Sequence, residues 1–215
     1  MDLCIIHYGD VLISYNECVE VDKEVKTFVK DAEVARKLKQ SCAIKNGDII
    51  FADAAEDNTV GKCTEVIAQE ADAIVSGLHT IPCRPKKEFA SRFLGYYLNS
   101  NAFHDQLLPH IQGTKISSIS KRALVQTHIS YPNDKNEQQT IASYFQHLDS
   151  LIQSTTKKIE SLKQVKEASL QSMFPQEGET KPRVRFKGFE KEWENMTFGK
   201  LYERSIIKND FLYLV

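Results

Sequence analysis

The 215-residue sequence lacks the marks of several familiar protein classes. Its five cysteines include no pair at CxxC spacing, which argues against a structural zinc site. No apolar run approaches the roughly 18 residues that a membrane-spanning helix needs. The first residues carry no signal-peptide pattern. We therefore expect a cytoplasmic protein with reduced thiols, no metal and no membrane association.

Catalytic signatures are also absent from the sequence. Gly61 and Lys62 resemble the end of a phosphate-binding loop, but Glu56 and Cys63 stand where that loop requires Gly and Ser or Thr. The histidines form no HExxH motif, and neither a methyltransferase motif nor a glycine-rich cofactor loop occurs. We expect no catalytic residues and no cofactor.

One enzymatic alternative remains open. Glu24 and Lys26, together with Asp10, have the residue types of a metal-dependent nuclease core. Such a short pattern is common by chance, so metal-dependent cleavage by the pure chain would have to establish it.

Acidic and basic residues are unevenly distributed, although the net charge is only −1. Acids outnumber bases in residues 1–60. Residues 84–122 reverse this balance, because only Glu88 and Asp105 oppose a group of bases: Arg84, Lys86, Lys87, Arg92, Lys115, Lys121 and Arg122. A local excess of positive charge is typical of a polyanion-binding face, and a solvated surface without a partner is the alternative.

Residues 1–132 alternate short apolar runs with turn signals, which predicts an α+β domain. A turn is expected at Lys45–Asp48, and strands are expected at Asp10–Tyr15, Ile49–Ala52, Ala73–Ser76 and Val125–Ser130. Helical spacing predicts helices at Phe89–Leu98 and at Ala102–Leu108, the second stopped by Pro109. Residues 113–120 are polar and basic and predict a loop.

Residues 133–175 predict one long helix. Asp134 and Glu137 form a capping-box pattern at its start, and Pro175 ends it. Apolar residues recur at alternating steps of four and three, which is a heptad seam. About 40 residues at 1.5 Å rise make a rod of roughly 60 Å. A stripe of this length needs a partner helix, and packing on the chain's own domain is the alternative.

Residues 176–215 begin with a polar linker. The linker is followed by two segments with aromatic and basic residues, Arg183–Trp193 and Phe198–Tyr202. This pattern predicts the opening of a further domain.

Particular motifs carry a family resemblance. The long helix, with Glu137-Gln138-Gln139, Leu148-Asp149, Leu162-Lys163 and Met173-Phe174, is very similar to the conserved helix of Type I restriction–modification specificity subunits. Arg185-Phe186-Lys187-Gly188-Phe189, with Trp193 and Phe198-Gly199-Lys200-Leu201, resembles the segment that opens the next target-recognition domain in that family. Ile6–Val11, Asn46–Asp53 and Val75–Pro82 resemble recurrent pieces of one class of these domains.

The resemblance implies a function and a fold. Such a subunit resembles two half-repeats, each a mixed α/β recognition domain with mostly antiparallel sheet followed by a long coiled-coil-type helix. Each domain reads one half of a bipartite target in double-stranded DNA. The helices dock methyltransferase (M) subunits and, through them, the endonuclease and translocase (R) subunit. The subunit itself is not catalytic.

The resemblance also implies a domain division. Residues 1–132 correspond to a recognition domain without its N-terminal segment, residues 133–175 to the spacer helix, and residues 176–215 to the start of a second half-repeat. A homodimer through the long helix would imitate a complete subunit. The alternative function is an assembly or dimerisation module that no longer reads DNA.

Two sets of residues are candidates for binding partners. Phosphates favour Lys and Arg, and base edges favour polar side chains, so the DNA-binding candidates are Lys115, Ser117, Ser118, Ser120, Lys121, Arg84, Lys86, Lys87, Ser76 and His79. The expected helix-partner interface consists of Ile141, Phe145, Leu148, Ile152, Ile159, Leu162 and Met173.

Overall fold

The computed structural model describes residues 3–41, 43–69, 73–113 and 115–202. The chain divides into two compact units, Met1–Ser150 and Leu151–Val215. Residues 203–215, the last part of the expected second half-repeat, lie outside the described residues. No helix in the described ranges is both long and apolar enough to cross a membrane.

Short strands in the first unit form three sheets. The strands are β1 (Cys4–Ile6), β2 (Cys18–Glu20), β3 (Ala43–Ile44), β4 (Ile49–Ala52), β5 (Ala54–Ala55), β6 (Cys63–Ile67), β7 (Ile74–Ser76), β8 (Thr80–Cys83) and β9 (Ser117–Ser118). The sheets have the orders β1-β7-β3, β2-β6-β4-β8 and β5-β9. Only β1 with β7 and β2 with β6 pair in parallel among these ladders, so the expected α+β class with mostly antiparallel pairing is confirmed.

The helices are mostly short, with one exception. They are α1 (Val21–Glu24), α2 (Ala32–Ser41), α3 (Phe93–Leu98), α4 (Asn101–His104), α5 (Lys121–Gln126), α6 (Lys135–Ser172) and α7 (Phe198–Leu201). A π-helical turn at Asp10–Ser14 and a 3-10 turn at Leu108–His110 complete the regular structure of the described residues.

Strand β4 is the centre of the first unit. Ile49 and Phe51 pack into one apolar cluster with α3, whereas Ile50 and Ala52 pack into a second cluster on the opposite face. Burial on both faces explains why this strand reads as a continuous apolar run rather than an alternating one. The predicted turn before it is confirmed, with Gly47 at a φ of 81°.

The prediction of a strand at Asp10–Tyr15 is wrong. This segment forms a π-helical turn in which the Tyr15 N–H donates to the Asp10 carbonyl oxygen at 2.8 Å. The Asp10 carboxylate also accepts a 2.9 Å hydrogen bond from the His7 N–H and so starts the turn. Val11 and Tyr15 are buried while Ile13 is 86% exposed, which is helical spacing in a run of β-prone residues.

The predicted helix at Phe89–Leu98 is real but shorter. Arg92 adopts a φ of 73°, and α3 begins only after it. The second predicted helix is interrupted after His104, and Pro109 lies inside a 3-10 turn rather than stopping an α-helix.

The prediction of a strand at Val125–Ser130 is also wrong. Helix α5 occupies the beginning of this stretch, because the Ser120 hydroxyl accepts a 3.2 Å hydrogen bond from the Ala123 N–H and caps the helix. Val125 is 84% exposed on that helix. The apolar pattern suggested a strand, whereas the capped helix extends to Gln126 and no strand follows it in residues 127–130.

The predicted long helix is confirmed. Helix α6 spans Lys135–Ser172, close to the expected bounds. The Asp134 carboxylate accepts a 2.8 Å hydrogen bond from the Asn136 N–H, which supplies one half of the expected cap. Ala142 is fully buried in the core of the first unit, so the first turns of α6 belong to that unit.

Candidate functional site

Asp53 joins two segments that carry DNA-binding candidates, the turn with Ser76 and His79 and the loop with Lys115, Ser117 and Ser118. It lies between β4 and β5, and its N–H donates to the carbonyl oxygen of His79 at 3.0 Å. Its own carbonyl oxygen accepts from the Ile119 N–H at 2.9 Å. The turn at 76–79 and the loop at 113–120 therefore meet at this residue, although they are distant in sequence.

His79 lies at this junction with an exposed side chain. Its φ is 54°, a conformation that only a minority of non-glycine residues adopt. The imidazole Nδ1 lies 3.3 Å from the Asp53 carboxylate, and the side chain is 61% exposed. The Tyr8 ring meets the imidazole edge-on, with centroids 5.4 Å apart. The ring is thus held from two sides and still reaches solvent.

Tyr8 was missed by the sequence reasoning. Strands β1 and β7 pair in parallel with Ile6 opposite Ser76, so the residues that follow both strands emerge at the same edge. The Tyr8 N–H accordingly donates to the Leu78 carbonyl oxygen at 3.4 Å. Parallel pairing of distant segments leaves no local signal, so only the topology places Tyr8 beside His79.

Gly77 allows a close approach within the same edge. A Cβ atom at this position would lie only 2.1 Å from the His7 Nδ1. The absence of a side chain at Gly77 thus lets the His7 imidazole pack against the backbone of this turn. The Thr80 hydroxyl donates to the Gly77 carbonyl oxygen at 2.6 Å and closes the turn, and Ser76 is half-buried.

The 113–120 loop is closed by its own backbone. The N–H groups of Gln112 and Ser118 each donate to the other's carbonyl oxygen, at 3.0 and 2.7 Å. Gly113 has a φ of 110°, and a Cβ there would lie 1.9 Å from the Ile116 carbonyl oxygen. The tight closure leaves Lys115 exposed beside Ile116, which is 61% exposed.

The three candidate serines of this loop have mostly structural contacts. The Ser118 hydroxyl donates to the Gln112 carbonyl oxygen at 3.3 Å, and Ser120 caps α5. Ser117 is half-buried in β9. Lys121 follows the cap and is exposed. The lysines are therefore better placed than the serines to meet a ligand.

The Arg84 guanidinium makes hydrogen bonds to residues of its own unit. Its Nε and Nη2 donate to the two Asp48 carboxylate oxygens at 2.8 and 2.6 Å, and Nη2 also donates to the Ala43 carbonyl oxygen at 3.0 Å. The hydrogen bond to Asp48 raises the pKa of the guanidinium. A bidentate pair with a buried carboxylate fixes the β4 and β8 ends together.

Lys86 and Lys87 flank a cleft of about 560 Å³ at the end of β8. The Lys87 ammonium donates to the Tyr131 hydroxyl at 3.1 Å, whereas Lys86 is exposed. Burial raises the pKa of the Cys83 thiol at this end of β8, and the charge of Lys121 opposes that rise. The Arg84–Lys87 segment follows the end of β8, while His79 lies at the opposite end of that strand.

The buried carboxylate of Glu65 binds backbone N–H groups at the start of α3. Glu65 is 3% exposed, and its oxygens accept from the Arg92 and Gly95 N–H groups at 2.7 and 2.8 Å. Burial raises the pKa of Glu65, and these backbone donors oppose the rise. Position 95 requires glycine, because a Cβ atom there would lie only 2.3 Å from the Glu17 carbonyl oxygen.

The acids of the alternative nuclease core have structural partners. Asp10 accepts from the His7 N–H at 2.9 Å, and Glu24 accepts from the Glu20 N–H at 2.6 Å. Both carboxylates thus cap local turns. Across the part of the chain that the structure describes, no group of three or more His, Cys, Asp or Glu side chains is placed to hold a metal ion.

Gln138 anchors the start of α6 and was not among the predicted site residues. It is 2% exposed, and its amide oxygen accepts from the Ala90 N–H at 3.0 Å. Its amide nitrogen donates to the Pro132 carbonyl oxygen at 2.7 Å. One buried side chain thus satisfies two backbone groups that would otherwise lack partners. The Glu137-Gln138-Gln139 motif was the available signal.

Tyr96 provides a second anchor for α6. Its hydroxyl donates to the Asp149 carboxylate at 2.6 Å, and its ring stacks on Phe145 with centroids 5.2 Å apart. Burial, with a further contribution from Asp149, raises the pKa of Tyr96. The first unit therefore holds α6 over several turns.

The expected helix-partner interface divides along α6. Ile141 and Leu148 are half-buried and Phe145 is 42% exposed, so this part packs partly on its own domain. The exposed fractions rise further along the helix to 64% for Ile152 and 59% for Leu162, and Ile159 and Leu151 are also exposed. The later part of the seam is therefore exposed and accessible to a partner helix.

In the second unit, the segment after α6 folds onto the helix end. The Val184 N–H donates to the Ser172 carbonyl oxygen at 3.0 Å. The Phe174 and Trp193 rings meet edge-on with centroids 6.1 Å apart, beside an apolar pocket of about 550 Å³. The half-buried Met173 also lines this pocket.

Comparisons with known proteins identify the family. The sequence model for the Type I restriction modification DNA specificity domain matches residues 5–164. The fold resembles a chain from a structure that addresses complex assembly and conformational transition of the type I R-M system, with a TM-score of 0.57 and 18% identity. It also resembles the HsdS subunit from Thermoanaerobacter tengcongensis, with a TM-score of 0.50 and 19% identity.

The lengths of these proteins differ from that of this chain. Each match covers 85% of this chain and 45% of the other, so the chain spans less than half the length of these solved relatives. The search of curated proteins found no match. The family model nevertheless covers the β-rich unit and most of α6. This chain belongs to the family of Type I restriction modification DNA specificity domains.

Proposed function

We propose that the chain reads one half-site of a bipartite double-stranded DNA target as the specificity component of a Type I restriction–modification complex. Catalysis belongs to other subunits: methyltransferase subunits dock on α6, and the endonuclease and translocase subunit joins through them. The single observation that carries this proposal is the family match across residues 5–164. Such a complex acts in the cytoplasm.

The exposed lysines support a contact with DNA. Lys115, Lys86 and Lys121 are exposed on the first unit, and Lys87 lies at the rim of the same cleft as Lys86. Lysines of this kind neutralise phosphates and position a protein on the duplex. The Asp53 junction with His79 lies at the other end of β8 and offers side chains for base contacts.

The exposed part of α6 supports docking of a partner. Ile152, Ile159 and Leu162 continue the heptad seam on a helix whose first turns are fixed to the domain by Gln138 and Tyr96. Two readers need a rigid spacer so that their half-sites keep a fixed separation on the duplex. A helix that is anchored at one end and carries an exposed apolar seam along the rest of its length suits this role.

The domain division follows from this role. Residues 1–132 form the recognition domain, residues 133–175 the spacer helix, and residues 176–215 the opening of a second half-repeat. The fold of Val184–Trp193 against the end of α6 supports the third assignment.

A second function is favoured by the same exposed seam. The chain acts as an assembly module, in which α6 pairs with a second copy while the domain no longer reads DNA. Light scattering that shows a dimer, together with an absence of duplex binding at low salt, would favour this alternative.

Duplex binding as a function of salt tests the leading proposal. The chain is assembled with the methyltransferase subunits of its own system and titrated with duplexes of different sequence. Affinity should fall as salt rises, with a slope of about −0.9 per neutralised phosphate, because counterions are released. One duplex sequence should bind more tightly than the others. Equal affinity for all duplexes would contradict the proposal.

A further inference from the structure

Two exposed side chains occupy the tip of the turn between β7 and β8. Leu78 is 76% exposed, and the His79 side chain is 61% exposed. Single exposed apolar residues are ordinary, but here the leucine adjoins a histidine with a left-handed backbone. Backbone strain of this kind persists where surrounding contacts maintain it, and it is often associated with function.

The surrounding contacts hold this turn rigidly. The His79 carbonyl oxygen accepts from the Asp53 N–H at 3.0 Å, and the Thr80 hydroxyl donates to the Gly77 carbonyl oxygen at 2.6 Å. Neither contact uses the His79 imidazole. The turn is therefore ordered while its two outer side chains remain available.

The imidazole of His79 is oriented by its neighbours. The Asp53 carboxylate lies 3.3 Å from Nδ1, and the Tyr8 ring meets the imidazole edge-on. A carboxylate beside Nδ1 favours a proton on that nitrogen, so the neutral ring presents Nε2 as a hydrogen-bond acceptor. The turn therefore presents an oriented hydrogen-bond acceptor, His79 Nε2, next to an exposed apolar side chain, Leu78.

One base pair matches this combination. In the major groove adenine presents the N6 amino group as a donor, and its thymine partner presents the C5 methyl group. We propose that His79 Nε2 accepts from the adenine amino group while Leu78 contacts the thymine methyl group, so that this turn reads an A·T pair. Asp53 and Tyr8 act as positioning residues. The inference rests on the proposed function, since it assumes that this domain reads DNA.

Sequence selection from a randomised duplex pool tests this inference. The chain, assembled with its own methyltransferase subunits, selects DNA in four forms: wild type, His79→Gly, His79→Asn and His128→Ala. Glycine removes the imidazole and tolerates the positive φ. Asparagine also tolerates this φ and can pair with adenine, so it serves as the conservative variant. His128 is an exposed histidine outside the turn and provides the control.

The expected result is confined to one position of the selected sequence. Wild type, His79→Asn and His128→Ala retain an A·T preference there, and His79→Gly loses it at least tenfold while other positions stay unchanged. The thermal midpoint of each variant excludes a folding defect as the cause.

Two kinds of failure can be separated. If wild type enriches a sequence and folded His79→Gly enriches the same one, or if the affected position is G·C, the inference about Leu78 and His79 is overturned. If wild type enriches no sequence, the proposed function fails and this inference fails with it.

Discussion

The hydroxyl of Tyr96 on α3 donates a 2.6 Å hydrogen bond to the carboxylate of Asp149 on α6. The bond joins α3 of the first unit to the fourth turn of α6, and the Tyr96 ring stacks on Phe145 one turn earlier. Together with the contacts of Gln138 at the helix start, it fixes the first turns of α6 on the first unit.

Tyr96→Phe should destabilise the first unit by about 1.5 kcal/mol, the lower end for a hydrogen bond to a charged acceptor at a partly exposed site. The free energy of unfolding in urea measures the effect. Tyr144→Phe, at a tyrosine on α6 that is 62% exposed, is the matched control and should change the free energy of unfolding by less than about 0.5 kcal/mol. Equal effects of both substitutions would contradict a specific role for the Tyr96 bond.

Gln138→Ala should have a larger effect than substitution of its neighbour. Its loss leaves the Ala90 N–H and the Pro132 carbonyl oxygen without their partner and opens space in the core, at a cost of about 2 to 4 kcal/mol. Gln139→Ala, on the exposed face, should cost less than about 0.5 kcal/mol. Denaturant unfolding compares the two variants, and a ratio near one would be inconsistent with the anchoring role.

Substitution of Arg84 should lower stability, whereas substitution of Lys86 should weaken DNA binding without a loss of stability. Arg84→Ala removes the bidentate partner of the buried Asp48 carboxylate and should lower the unfolding free energy by about 1 to 3 kcal/mol. Lys86→Ala should leave stability within about 0.5 kcal/mol and reduce the magnitude of the salt slope of duplex binding by about 1. Stability comes from denaturant unfolding and the slope from binding isotherms at several salt concentrations. An unchanged slope for Lys86→Ala would remove Lys86 from the binding surface.

Tyr15 should contribute to a loss of stability at alkaline pH. Burial, followed by the charge of Asp10, raises the pKa of Tyr15 to about 12, whereas an unfolded tyrosine ionises near pH 10. A raised folded-state pKa stabilises the fold fully below about pH 10, and the contribution is lost as pH rises from about 10 through 12. The stability advantage of wild type over Tyr15→Phe should therefore shrink from pH 9 to pH 11. An advantage that stays constant or grows over this range would contradict the assignment.

Local patterns were sufficient for part of the fold. The Asp134 cap and the heptad spacing predicted α6 within three residues at each end. The Lys45–Asp48 turn and the apolar run after it predicted β4. In these segments the local preference and the tertiary environment agree, so the sequence pattern was enough.

Other segments depended on contacts that the sequence does not display. At Asp10–Ser14 a β-prone run forms a π-helical turn, next to a hydrogen bond from the His7 N–H to the Asp10 carboxylate. At Lys121–Gln126 a serine cap begins an α-helix that extends into a predicted strand. The proximity of Tyr8 to His79 follows from parallel pairing between β1 and β7, which joins residues about 70 positions apart. The pairing of Arg84 with Asp48 was not predicted, because the two residues are 36 positions apart in the sequence.

Methylation mapping tests the central role most directly. The chain is expressed with the methyltransferase subunits of its system in cells that lack other methyltransferases, and methylated bases are located across the genome. The expected result is methylation confined to a bipartite sequence with a fixed spacer, absent without this chain and lost at one half-site position in His79→Gly. Methylation of the same sites in the absence of this chain would contradict its role as the reader of the DNA target.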